Sequence, residues 1–193
     1  MGAFSPSRLI TESLQDRLIQ EIIVPTLRAL EKRGIEYRGV LYAGLMMTDA
    51  GPRLLEYNVR FGDPETQSLV VRLEGDLLEL IEACIAGRLA ETTAKWNEKV
   101  SVCVVMAAHG YPGETRKGDP ISGLDRTAQI RETVVFHAGT LLQEGRLVTA
   151  GGRVLGVTSL GKDLREARER AYDACEKIYW NGLHFRKDIG GIR

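Results

Sequence analysis

The sequence predicts an α/β (α+β) protein: a first half of helices and a short antiparallel hairpin, followed by a small α+β half built on an antiparallel sheet. Three observations carry this. Apolar residues recur every three or four positions from Leu14 to Leu30, the period of a helix with one buried face. Short apolar runs at residues 100–107, 130–142, 147–149 and 154–160 are separated by turn signals, the texture of antiparallel strands. Ala167, Ala171, Ala174, Cys175 and Ile178 then fall on one face of a closing helix. The texture changes in the loop through Thr92, Thr93 and Asn97, which places a boundary near residue 96 and gives domains 1–96 and 97–193.

The elements follow in order. Thr11 or Ser13 can cap the first helix, Pro25 bends it and Gly34 stops it. Residues 37–47 and 53–61 read as strands around the turn Asp49-Ala50-Gly51-Pro52. After Gly62-Asp63-Pro64, residues 65–73 start a helix, and Asp76 caps another that ends at Gly87. Turns at Tyr111-Pro112-Gly113, Glu144-Gly145 and Gly151-Gly152 separate the later strands, and Asp163 caps the last helix.

The 193 residues carry 26 Lys plus Arg and 26 Asp plus Glu, so the formal net charge is zero. That balance gives no global attraction to nucleic acid or to an anionic membrane, and any anion site must be local. Cys84, Cys103 and Cys175 lie far apart, with no CxxC pair, and read as buried small hydrophobes in a reducing compartment. No window approaches the roughly 20 apolar residues of a membrane span, so the expectation is a soluble, cytoplasmic protein.

The stretch richest in chemistry runs from Leu55 to Phe61. Side chains of a strand alternate, so Glu56, Asn58 and Arg60 share one face, while Leu55, Tyr57, Val59 and Phe61 can pack on a core. Glu and Asn offer the hard oxygen ligands that Mg²⁺ prefers, and Arg offers a planar cation for phosphate oxygens. The same pattern also describes a strand with a polar wet face. Asp63 can cap the following helix or hold a substrate hydroxyl or amine, and Glu65 complements the helix dipole. Gly151-Gly152-Arg153 reads as a hairpin turn or as a loop that sets Arg153 beside a phosphate. His137 reads as a satisfied core or loop histidine rather than a catalyst, and His109 and His184 have no third ligand nearby. Arg186-Lys187-Asp188 is either a solvated cluster or a tail folding back.

Residues 60–67, RFGDPETQ, resemble the signature of the phosphoribosylamine-glycine ligases, also called glycinamide ribonucleotide synthetases, the ATP-grasp family of purine biosynthesis. MGAFSP at 1–6, YRGVLYAGLM at 37–46, VVMAAHGYPG at 104–113, FHAGT at 136–140, GGRVLGVTSLG at 151–161 and RKDIG at 186–190 resemble the same family in the same order. The resemblance implies the second half of an ATP-grasp core followed by a C-terminal domain. It implies a reaction in which ATP phosphorylates glycine and the amine of 5-phosphoribosylamine attacks the glycyl phosphate, giving glycinamide ribonucleotide, ADP and phosphate. It also implies Glu56 and Asn58 as ligands of Mg²⁺ or Mn²⁺ and Arg60 as a phosphate contact, with Asp63 and Arg153 as candidate substrate-binding residues.

The family carries, ahead of the MGAFSP segment, a domain that helps bind phosphoribosylamine and a subdomain that clamps ATP. The 193 residues hold no counterpart of either, so the chain is expected to act only with that N-terminal part. Two other readings remain open: a non-catalytic or split-enzyme module working with a partner chain, and a different ATP-grasp carboxylate-amine ligase.

Overall fold

A computed structural model describes residues 1–191. The chain runs β1 (Gly2–Ser5), α1 (Glu12–Leu18), a π-helical turn (Ile19–Ile23), α2 (Val24–Glu31), the hairpin β2 (Tyr42–Thr48) and β3 (Gly51–Asn58), α3 (Glu65–Val70), β4 (Leu73–Glu74) and α4 (Leu77–Ile85). It continues through a 3-10 turn (Leu89–Glu91), β5 (Lys95–Trp96), β6 (Val100–Ala107), α5 (Leu124–Thr127), β7 (Thr133–His137), β8 (Thr140–Gln143), β9 (Arg146–Thr149), β10 (Arg153–Gly161) and α6 (Leu164–Lys177). Two compact units result. One joins Met1–Ser5, Asp63–Leu73 and the chain from Trp96 onward; the other joins Pro6–Gly62 and Glu74–Lys95.

The first unit is organised by β6. Residues 101–107 are all buried, so this strand needs a partner on each edge and cover on each face. β1 pairs antiparallel on one edge, with Phe4 opposite Val102, and β10 on the other, with Thr158 opposite Cys103. The sheet order is β1-β6-β10-β7. Alternation sends Val102, Val104 and Met106 to one face, where they form a single core with Ala167, Ala171, Ala174 and Cys175 of α6 and with Trp180. The small residues let the helix lie close: a Cβ on Gly161 would stand 2.3 Å from the Ala167 nitrogen. On the other face the Ser101 hydroxyl donates to the Ser68 carbonyl of α3 at 2.7 Å. Asp163 Oδ1 accepts from the Glu166 N–H at 2.8 Å, and Glu166 Oε2 accepts from the Lys162 N–H at 2.7 Å, a reciprocal cap on α6.

The strand expected over residues 130–142 is two strands in two sheets, β7 against β10 and β8 against β9. The break falls at Gly139, whose N–H donates to Arg153 O at 2.8 Å and whose carbonyl accepts from the Ala150 N–H at 2.7 Å. A Cβ there would stand 2.7 Å from the Gly151 Cα, so two glycine backbones pass where side chains cannot. The helix expected over residues 65–73 ends at Val70.

In the second unit the local signals hold. Thr11 caps α1 by accepting from the Leu14 N–H, and Asp76 caps α4 by accepting from the Leu78 N–H. Gly34 and Gly87, each at φ +72°, end their helices in the left-handed conformation. At the expected bend the helix widens into the π-helical turn immediately before α2, because Pro25 has no N–H to donate to the preceding turn. β2 and β3 pair with Gly44 opposite Glu56 but Leu45 opposite Leu54, a bulge that leaves Leu55 unpaired.

β3 stops at Asn58, short of the expected residue 61, and of the apolar face expected to pack on a core Tyr57 is half-buried while Leu55, Val59 and Phe61 are exposed. Leu55 is 62 % exposed and Val59 72 %, because the bulge takes Leu55 out of the alternation and Val59 lies beyond the strand's end. Among the described residues the buried apolar side chains of this unit are Leu18 and Ala83. No described helix is long and apolar enough to cross a membrane.

The contrast in burial predicts a contrast in stability. Leu155→Ala, at a residue 1 % exposed, is expected to cost about 2–5 kcal/mol in denaturant titration, and Leu55→Ala within about 0.5 kcal/mol. Equal effects would contradict the core as described.

Backbone N–H donation, to Asp163 from Glu166 and to Glu166 from Lys162, holds the two carboxyls below their ordinary values of 3.8 and 4.5. A depressed folded pKa means that the unfolded chain binds protons first, so the contribution is complete above about pH 5 and lost as pH falls through the depressed values. Asp163→Asn keeps an N-cap acceptor and should flatten the acid limb of a Tm-against-pH curve; an unchanged limb would remove Asp163 from the explanation of acid lability.

Candidate functional site

β3 sets Glu56 and Asn58 on one face two residues apart, and the Asn58 Nδ2 donates to Glu56 Oε1 at 3.0 Å. The residue opposite Glu56 is Gly44, where an added Cβ would stand 3.2 Å from the Glu56 Cγ, so the glycine leaves the carboxylate its room. Behind the pair, the Tyr57 hydroxyl lies 2.5 Å from Thr26 Oγ1 and 3.2 Å from the Ile22 carbonyl. Arg60 does not share this face by strand alternation, because the extended backbone ends two residues before it; its Nη1 donates to Phe61 O at 3.1 Å.

The donor chemistry fits a hard cation. Among the described residues no three His, Cys, Asp or Glu side chains gather, so a metal here would draw on the Glu56 carboxylate and the Asn58 amide oxygen. Mg²⁺ commonly takes one or two protein oxygens and completes its shell with water and substrate phosphates.

The other unit brings Asp63 and Arg153 together across ninety residues of sequence. Arg153 Nη2 meets Asp63 Oδ2 at 2.6 Å, and Nη1 donates to the Asp63 carbonyl at 3.2 Å. Gln67 Nε2 donates to the other carboxylate oxygen at 3.2 Å. The N-cap position of α3 belongs to Pro64, so the Asp63 carboxylate serves this cluster. Arg153 is held at the start of β10 by the glycines before it: a Cβ on Gly152 would stand 2.5 Å from Tyr111 Cδ2, and one on Gly151 3.2 Å from Gly139 Cα. Gly151-Gly152-Arg153 is therefore a packed turn that aims an arginine at an aspartate.

Sequence reasoning did not single out Gln67 or Tyr57. The signal for Gln67 was its four-residue spacing from Asp63 at the start of a helix. Tyr57 carried none, because its partners lie on another element. The remaining candidates have structural partners. His137 Nδ1 lies 3.1 Å from Thr140 Oγ1, and a Cβ on Gly182 would stand 2.6 Å from His109 Cβ. The tail folds back on α6: Tyr172 donates to Arg186 O at 2.7 Å, and Arg168 donates to Lys187 O at 2.7 Å and to Ile189 O at 3.1 Å. Arg72 bonds Lys99 O, Ser5 Oγ and Asn97 O, and burial lowers its pKa. All three cysteines are free, and burial pushes the Cys103 thiol up to about 11, which leaves it inert.

Comparison with known proteins gives the family. Residues 1–66 match the model described as phosphoribosylglycinamide synthetase, ATP-grasp (A) domain, and residues 101–191 match its C domain. The chain belongs to the phosphoribosylglycinamide synthetase family. It is 49 % identical over 191 residues to the phosphoribosylamine-glycine ligase of Vibrio cholerae, covering 98 % of this chain and 44 % of that protein. It is 47 % identical over 189 residues to that of Caldanaerobacter subterraneus, covering 98 % of this chain and 45 % of the relative. The chain thus spans somewhat under half the length of the curated relatives it matches. The crystal structure of the phosphoribosylamine-glycine ligase from Thermotoga maritima matches with a TM-score of 0.83 and 37 % identity, over 98 % of this chain and 46 % of that one. Biotin carboxylase from Campylobacter jejuni, at 15 % identity and a TM-score of 0.64 over 99 % of this chain and 41 % of that one, shares the fold alone. The synthetase family fold here is the ATP-grasp one, with mixed helices and antiparallel strands.

The Asp63 and Arg153 side chains are 44 % and 33 % exposed, which limits the worth of their ion pair. In a double-mutant cycle with Asp63→Asn and Arg153→Met, the coupling is expected to be about 0.5–1 kcal/mol and to shrink with added salt. A coupling of zero at low salt would make the contact geometric only.

Proposed function

We propose that this chain contributes the metal-ligand strand of an ATP-dependent ligase that joins glycine to 5-phosphoribosylamine, giving glycinamide ribonucleotide, ADP and phosphate in purine biosynthesis in the cytoplasm. The observation that carries the reading is the hydrogen-bonded Glu56 and Asn58 pair on β3, inside the stretch that matches the ATP-grasp domain. The names of the relatives at 47–49 % identity support the substrates. The division into an ATP-grasp part through residue 96 and a C-terminal domain from residue 97 is proposed with it, supported by family matches on either side of that point.

In this reading the γ-phosphoryl group of ATP passes to a glycine carboxylate oxygen as ADP leaves; the amine of 5-phosphoribosylamine then attacks the carbonyl carbon and phosphate departs. Glu56 and Asn58 would hold Mg²⁺ or Mn²⁺, which screens phosphate charge while an anionic carboxylate approaches. Asn58 orients the Glu56 carboxylate through its amide N–H. Arg60, beyond the strand, would contact phosphate oxygens. Asp63 and Arg153 would contact substrate, presented as a fixed pair whose charges offset each other, which suits a ligand carrying both an amine and an anionic group better than a bare phosphate. The exposed Leu55 and Val59 support a second reading, in which the chain works as a module of a split enzyme against a partner chain.

A chimera in which this chain replaces the matching part of the Vibrio cholerae relative tests the proposal. It is expected to release ADP only when glycine and 5-phosphoribosylamine are both present, and Glu56→Ala should lower kcat by about 100-fold with the fold intact. The 193-residue chain by itself should release none. Full activity in the Glu56→Ala chimera would overturn the metal assignment, and substrate-dependent ADP release by the chain alone would overturn the reading of it as a contributing part.

A further inference from the structure

We propose that Tyr57 is a positioning residue for Glu56 and Asn58, acting through a hydroxyl relay to the π-helical turn; the inference rests on reading that pair as metal ligands. Tyr57 lies between them in sequence, and its side chain leaves β3 on the opposite face. Thr26 Oγ1 donates to the Ile22 carbonyl at 2.8 Å, and the Tyr57 hydroxyl lies within hydrogen-bond distance of both, so one carbonyl of the widened turn anchors two hydroxyls. The turn lies immediately before α2, whose second residue is Pro25, and its Ile22 carbonyl takes the side-chain donors.

Three features make β3 depend on this contact. The bulge at Leu55 interrupts the register immediately before Glu56, so the end of the strand is held to β2 by three paired positions, Glu56 with Gly44, Tyr57 with Ala43 and Asn58 with Tyr42. Leu55 and Val59, the apolar neighbours that would otherwise hold the back of the strand, are 62 % and 72 % exposed. Tyr57 itself is half-buried against the helix, in a groove it lines with Ile22, Pro25, Thr26 and Leu54. Its hydroxyl therefore supplies the directional contact that sets the strand's height and twist against the helix, and with them the spacing of the two metal-facing oxygens. Groups that orient metal ligands from behind are commonly worth about ten- to a hundred-fold in metal affinity.

The test is a Mn²⁺ titration of the 193-residue chain, followed by paramagnetic broadening of the Asn58 side-chain amide in NMR, on the wild type and on Glu56→Gln, Tyr57→Phe and Thr26→Ser. The expected result is loss of site-specific broadening in Glu56→Gln, a midpoint raised about tenfold in Tyr57→Phe, and a wild-type midpoint in Thr26→Ser, which keeps the hydroxyl. Loss in Glu56→Gln with a wild-type midpoint in Tyr57→Phe overturns the positioning role and leaves the metal reading standing. Wild-type broadening in Glu56→Gln overturns the metal reading, and the positioning role with it. If Tyr57→Phe does not fold, as judged by its amide spectrum, Thr26→Val removes the 2.5 Å partner of the Tyr57 hydroxyl and leaves its contact to the Ile22 carbonyl at 3.2 Å. A raised midpoint there supports the relay, and an unchanged one overturns the relay through Thr26.

Discussion

Burial of β6 on both faces is the constraint from which the first unit follows. A strand whose residues 101–107 are all withdrawn from water must find partners for every N–H and C=O and apolar cover on each side. The edges recruit β1 from the start of the chain and β10 from near its end. The faces recruit α6, with its small-residue stripe, and α3, which packs on β1, β6 and β10. That single strand is why residues 1–5 and 63–73 belong with the chain from Trp96 onward. Arg72 strengthens the arrangement by satisfying three oxygens from two distant segments with one guanidinium, for which its partial desolvation is the cost.

The second unit is built on a different balance. Its helices are well capped and its hairpin well paired, yet Leu18 and Ala83 are its buried apolar side chains among the described residues. Local order there comes from backbone hydrogen bonds, caps and a few directional polar contacts. Elements with little apolar burial open more readily than those around a dry core. The Glu56 and Asn58 pair sits on such an element, so specific contacts such as the Tyr57 relay carry weight that packing would carry elsewhere.

Several glycines act here by close approach rather than by a left-handed turn. Gly139 and Gly151 let two backbone segments pass within contact distance, and Gly152 leaves room for the Tyr111 ring, which together fix Arg153 against Asp63. Gly161 does the same for strand and helix in front of Ala167. These contacts turn a chain reversal that sequence alone reads as an ordinary hairpin into a device that aims a cation.

Much of the protein is legible in its amino-acid sequence. Thr11, Asp76 and Asp163 cap the helices whose starts they mark, and Gly34 and Gly87 end them, because capping joins groups within four residues of each other. The shared face of Glu56 and Asn58 follows from the same local geometry. Arg60 falls outside it because β3 ends at Asn58, and the run from 130 to 142 divides because Gly139 meets Gly151 from another part of the chain. The ion pair of Asp63 with Arg153, the pairing of β1 with β6 and the anchoring of Tyr57 on Thr26 join residues 31 to about 100 positions apart. The sequence by itself determined the caps, the turns, the helical faces and the family motifs, since each is written within a few residues. Which strands pair, where they stop and which side chains are buried was decided by tertiary structure, because those outcomes depend on partners that no local pattern encodes.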